Sequence, residues 1–225
     1  MAELIVALDV ASAGEAYRLA DALPGLRWVK IGPVLFVQEG AGVVREFRAR
    51  GVRVFLDLKW HDIPDVVAAA VRSAEAIGVE LATVHALGGR AMIAGAARAA
   101  RDLRVAAVSV LTSHEPAGYW EALGREGGAL SDEVVRLARV AVEAGARALV
   151  ASPLEIEAVR QAVGAAPWIV VPGIRPEGAA AHDQRRVAGP AEAARAGATH
   201  LVVGRPITRA NSPSGVYQRI CEEIS

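Results

Sequence analysis

Asp57, Lys59 and Asp62 lie close together in the stretch FLDLKWHDIPDV, residues 55–66. An ammonium between two carboxylates stays protonated, because opposite charge favours the charged form. So held, it can neutralise negative charge that builds on a substrate and then deliver a proton. The plainer reading is an internal ion pair, which accounts for one carboxylate and leaves the second over. Lysine usage bears on the choice. Of 25 basic residues only Lys30 and Lys59 are lysines; the rest are arginines. An ammonium is compact and can give up its proton, which a guanidinium does not do. GC-rich codon bias would explain the scarcity of lysine, but not where the two are kept.

Their positions follow from the elements around them. Short β-rich apolar runs recur at 4–9, 27–32, 53–59, 81–86, 104–111, 147–152, 168–173 and 200–205. Ala-rich stretches of helical period lie between most of them, at 12–23, 38–50, 64–78, 89–101, 131–145 and 154–164. Asp62 is expected to cap the helix that Pro64 opens. Strands alternating with helices require a parallel sheet covered by helices. Eight units in 225 residues predict an α/β fold, a single-domain (β/α)8 TIM barrel over 1–225. An open doubly wound sheet is the alternative, but LDVASAGEA lacks the glycine fingerprint of such folds. The unit 174–199 reads as a long loop with one short helix near 190–196, and its part around 175–189 as a lid that closes over phosphate.

Barrel chemistry sits at the C-terminal ends of the strands. Those ends carry Asp9, Lys30, Asp57 with Lys59, His85, Thr112 with Ser113, Arg175, and Gly204 with Arg205. Both lysines are among them. Asp57 and Lys59, two apart on one strand, should face the barrel interior together. The loops after strands seven and eight commonly hold phosphate, and Arg175, Gly204 and Arg205 suit that role. A phosphorylated small molecule lying across the mouth is the expected ligand. Trp60 is expected at an interface or pocket wall, His85 in the pocket or in packing, and Cys221 as a packed thiol. His61, His114, His182 and His200 follow no metal-ligand spacing and are expected in loops or on the surface.

Composition narrows the classes. Hydrophobic residues make up 53% and charged residues 22%, enough for a sizeable core. Acids and bases balance at 25 each, so neither nucleic acid nor an acidic membrane is an expected partner. No apolar run reaches the roughly 18 residues of a membrane helix. The single cysteine and the lack of a signal-peptide pattern suggest a cytoplasmic protein.

FLDLKWHDIP resembles the D-x-K-x-x-D-I-P signature of the orotidine 5′-phosphate decarboxylase family. The likeness spans nearly the whole chain: VALDV, VKIG, VLTS, VPGIRP with DQRRV, and VVGRPIT with ANSP resemble the family's segments in order. It implies a cofactor-free, metal-free decarboxylase that makes uridine 5′-phosphate in pyrimidine biosynthesis. It implies Lys59 as proton donor to C6 of the pyrimidine and Asp57 facing the substrate carboxylate. Asp62 would come from the second subunit of a homodimer with shared sites, and Ile63 and Pro64 beside it would bind substrate. Asp9 and Lys30 would hold the ribose hydroxyls, Thr112 and Ser113 the pyrimidine. Gln184 would bridge base and phosphate, and Arg175, Gly204 and Arg205 would bind the phosphate. Val66 departs from the family's usual threonine. Two other readings stand beside this one: a metal-dependent sugar-phosphate decarboxylase or aldolase of the same suprafamily, and a non-catalytic phosphate binder.

Overall fold

Glu3–Ala7 forms the first strand (β1), and its apolar residues Leu4 to Ala7 are all buried. The computed structural model describes residues 2–176 and 186–225. Seven more strands follow: β2 (Trp28–Ile31), β3 (Arg53–Trp60), β4 (Leu81–His85), β5 (Arg104–Val108), β6 (Ala148–Val150), β7 (Trp168–Val171) and β8 (His200–Val203). Each pairs in parallel with the next, and β8 returns to β1 to close the barrel. The helices are α1 (Ala13–Asp21), α2 (Pro33–Glu39), α3 (Ala41–Ala49), α4 (Pro64–Ala76), α5 (Gly89–Ala99), α6 (Pro116–Ala122), α7 (Leu130–Glu143), α8 (Ile156–Val163), α9 (Pro190–Arg195), α10 (Arg205–Thr208) and α11 (Pro213–Glu223). The expected (β/α)8 barrel is the observed one.

Period-two alternation sorts each strand between two cores. Ile5, Phe55, Leu81 and Val170 point into the barrel and pack on one another. Leu4, Val54, Leu56 and Ala82 point outward into the larger core beneath the helices. The lower end of the barrel is closed by Trp28, Trp168 and His200, with Arg53 over the Trp28 ring at 4.2 Å and Arg104 over the Trp168 ring at 4.0 Å. His200 is therefore a core residue, 3% exposed, and not the loop or surface residue its spacing suggested. A histidine that opens a strand points inward whenever its neighbours alternate that way.

Two further expectations change. Asp62 does not cap α4. Ile63 holds the N-cap position without a side-chain bond, and the Asp62 carboxylate accepts instead from the Ile63 N–H at 2.7 Å. The helix expected at 38–50 is α3, which begins at Ala41, and an unexpected helix, α2, precedes it over Pro33–Glu39. Gly40, at φ 61°, ends α2 and starts α3, a conformation that side chains resist. α6 and α11 follow loop-like stretches, and each opens on a proline in its first turn.

Candidate active site

Strand β3 carries the centre of the site, and it is not a regular strand. Phe55 and Leu56 pair with Leu81 and Ala82, but Trp60 pairs with Val84. β3 therefore advances from Leu56 to Trp60 while β4 advances only from Ala82 to Val84. The surplus forms a bulge, of the kind that re-aims side chains beside sites. Lys59 sits in it at φ 51°, the one residue other than glycine with positive φ among the described residues. Its N–H turns to the Thr83 hydroxyl at 2.8 Å.

The bulge brings the charges together. Lys59 Nζ lies 2.9 Å from Asp57 Oδ1. Lys30 Nζ lies 2.9 Å from Asp9 Oδ1 and 3.6 Å from Asp57 Oδ2. Carboxylate and ammonium thus alternate from β1 through β2 to β3. Burial pushes the Asp57 carboxyl up, but Lys30, then Lys59, then hydrogen bonds from Lys59 and Thr83 outweigh it. The net effect holds Asp57 below the usual carboxylate range, so it is ionised at neutral pH. Gly32 leaves room for the pairing: a Cβ there would stand 2.8 Å from Asp9 Oδ1 and 3.1 Å from Lys30 Nζ. This is the physical content of the glycine in VKIG.

These groups line one wall of a cavity of about 680 Å³ at the C-terminal mouth. Thr112 and Ser113, in the loop after β5, line it too, as do Arg175, Gly204 and Arg205. Burial and then the neighbouring Arg205 guanidinium hold Arg175 below its ordinary value. Two guanidiniums in each other's field suit an anion. Pro172 and Gly173, at φ 80°, bend the chain out of β7 toward Arg175.

Not every expected residue lines this cavity. Asp62 and Ile63 are exposed and Pro64 is half-buried, all in the turn from β3 to α4 and outside the cavity wall. Gln184 and His182 fall outside the described residues, as does most of the expected phosphate loop, 177–185. His85 does not line the cavity. It stacks on His61 with ring centres 5.7 Å apart, and its Nδ1 accepts from the Leu87 N–H. Burial, then His61, Lys59 and His114, lower its pKa to about 4, so it is neutral. Trp60 packs partly buried against the outer core rather than on the cavity.

The sequence reading missed Thr83, Glu155 and Arg186. Arg186, 9% exposed, donates to Glu155 Oε1 at 2.6 Å and to the Leu111 carbonyl at 3.0 Å. It thereby ties the chain returning toward β8 to the ends of β5 and β6. Among the described residues no three His, Cys, Asp or Glu side chains group as metal ligands.

A closed parallel barrel with an alternating Asp–Lys array at its C-terminal mouth, opposite paired arginines, defines a (β/α)8 enzyme for a small anionic substrate. The family model of the orotidine 5′-phosphate decarboxylase / HUMPS family matches residues 2–220. The chain belongs to that family. It is 46% identical over 230 residues to the orotidine 5′-phosphate decarboxylase of Parasynechococcus marenigrum (strain WH8102), covering 98% of this chain and 93% of that protein. It is 49% identical over 219 residues to that of Anaeromyxobacter sp. (strain K), covering 96% of each. The crystal structure of the orotidine 5′-phosphate decarboxylase from Lactobacillus acidophilus superposes with a TM-score of 0.89 at 31% identity, covering 100% of both chains.

Proposed function

We propose that this chain decarboxylates orotidine 5′-phosphate to uridine 5′-phosphate, a step of pyrimidine biosynthesis, with no cofactor. The observation that carries the reading is Lys59 Nζ, fixed 2.9 Å from an ionised Asp57 on the wall of a cavity that also presents Arg175 and Arg205. Loss of CO2 from C6 leaves an electron pair in the ring plane, outside the π system. A cation already fixed beside that carbon stabilises the pair as it forms, and the same ammonium then supplies the proton. Asp57 holds the Lys59 ammonium in place and faces the departing carboxylate. Two unit charges at about 4 Å repel by roughly 4 kcal/mol at an effective dielectric near 20, and loss of CO2 relieves that repulsion.

The other positions follow the family resemblance. Asp9 and Lys30 hold the ribose hydroxyls, Thr112 and Ser113 the pyrimidine, and Gln184 bridges base and phosphate. Arg175, Gly204 and Arg205 take the phosphate, and the loop around 175–189 closes over it, so that binding energy far from C6 serves the chemistry. Asp62, Ile63 and Pro64 reach the site of a second subunit in a homodimer. Their exposure supports this, as does apolar surface beside them: Ile63 is 65% exposed, Val66 47% and Leu87 36%. Val66 offers no hydroxyl to the neighbouring ribose. The enzyme works in the cytoplasm, where its lone cysteine stays reduced.

The test is the absorbance of orotidine 5′-phosphate on mixing with the purified protein, with and without EDTA. Decay at equal rates in both is expected. No decay overturns the reading, and decay abolished by EDTA replaces it with the metal-dependent alternative.

A further inference from the structure

We propose that Thr83 is a positioning residue for the decarboxylation: its one hydroxyl sets both the backbone of Lys59 and the carboxylate that Lys59 grips. The inference rests on the function proposed above and adds a residue to its machinery. Thr83 is fully buried and stands on β4 facing into the barrel, above Leu81. Its Oγ1 accepts from the Lys59 N–H at 2.8 Å and donates to Asp57 Oδ1 at 3.0 Å. Asp57 Oδ1 in turn accepts from Lys59 Nζ at 2.9 Å. The three residues close a ring in which the main chain and the side-chain tip of Lys59 are fixed through the same hydroxyl. A threonine hydroxyl has one proton to give and lone pairs to receive with, so both bonds can stand at once.

The ring matters because the Lys59 backbone does not favour its own conformation. A long side chain adopts positive φ only where its surroundings hold it there. The bulge removes Lys59 from the regular ladder with β4, and the Thr83 hydroxyl receives the N–H so released. Without it, that N–H is left buried without its acceptor, and Asp57 Oδ1 loses a donor. Relaxation of φ would then swing Nζ away from the ring carbon it must protonate. Thr83 touches neither substrate nor product in this scheme, and acts through Lys59 and Asp57.

Thr83→Val keeps the branched shape and removes both bonds; Thr83→Ser keeps the hydroxyl. The expected result for Thr83→Val is a kcat lowered by about tenfold or more with KM within about threefold of wild type, since misplaced groups act on the chemical step. Thr83→Ser is expected to recover most of that loss. If Thr83→Val does not fold, Thr83→Cys takes its place against Thr83→Ser, since a thiol is a weak donor and acceptor. An unchanged kcat, a change confined to KM, or a serine variant as slow as the variant lacking the hydroxyl would overturn the proposal.

A second readout needs no turnover. The chain has two lysines, Lys30 and Lys59, so protein labelled with 13C,15N-lysine gives two sets of lysine signals, assigned with Lys30→Arg. The Cα and Nζ shifts of Lys59 are expected to move in the variant lacking the hydroxyl and to return in Thr83→Ser. Unmoved Lys59 signals would overturn the positioning role even in an active enzyme. A wild-type protein inert toward orotidine 5′-phosphate would instead sink the proposed reaction and leave the spectra to decide about Thr83.

Discussion

In the proposed mechanism Lys59 is the residue on which the chemistry turns. Asp57, Lys30 and Asp9 form a row in which each carboxylate meets an ammonium, so removing one lysine does not strip the row of positive charge. Lys59→Ala leaves Asp57 bonded to Thr83 and facing Lys30. The variant should therefore fold, with a melting temperature close to that of wild type, while turnover falls by more than about a thousandfold. That magnitude reflects loss of both the field and the proton source. Near-normal activity in a steady-state assay would refute the mechanism. At this scale the sequence was legible where charge broke a pattern: two lysines kept at strand ends, and aspartates inside an apolar strand. It was illegible where a site residue looked ordinary. Thr83 in LATVHA reads as any β-forming residue, and Arg186 is one arginine in a chain whose basic residues are nearly all arginine. Only the bulge, which period-two counting does not foresee, gives the Thr83 hydroxyl its two partners.

Strands and most helices could be read from hydrophobic period, because each strand must feed two cores and each helix one. What the period misjudged were features set by single residues, such as the break at Gly40, and by neighbours distant in sequence, as at His200. That histidine sits at the closed end of the barrel, 5.6 Å from the Trp28 ring and 4.2 Å from the Trp168 ring. Its Nε2 is buried and makes no hydrogen bond. Burial lowers its pKa from 6.5 to about 4; Arg53 and Arg104 add to the effect and Glu3 opposes it. A folded pKa below the unfolded one means that the unfolded chain binds the extra proton. Stability is thus fully present above about pH 6.5 and declines as pH falls toward 4, by about 3 kcal/mol for this residue in full. Urea unfolding at a series of pH values should show that slope, and His200→Phe, which keeps a ring beside the tryptophans, should make it shallower, leaving the share that His85 contributes over the same range. An equally steep slope in the variant would assign the acid sensitivity to other groups.

The whole barrel places nearly every proposed site residue on one rim, with Asp62, Ile63 and Pro64 as the exceptions among the described residues. Asp62 lies outside the cavity wall of its own subunit, among exposed Ile63, Val66 and Leu87. The net charge is zero, so long-range repulsion does not oppose pairing of two copies. In the proposed homodimer each site takes Asp57 and Lys59 from one chain and Asp62 from the other. Asp57→Asn and Asp62→Asn should each be nearly inactive alone. Mixed and allowed to exchange subunits, they form a heterodimer with one site carrying both substitutions and one carrying neither. With random pairing, half the dimers are mixed and half the sites in those are native, so activity should recover to about a quarter of wild type under two-fold symmetry. Recovery should follow the rate of subunit exchange, measured in parallel by capture of differently tagged chains. Complete exchange without recovery would mean that each subunit builds its site alone, and that the exposed Asp62 serves no neighbour.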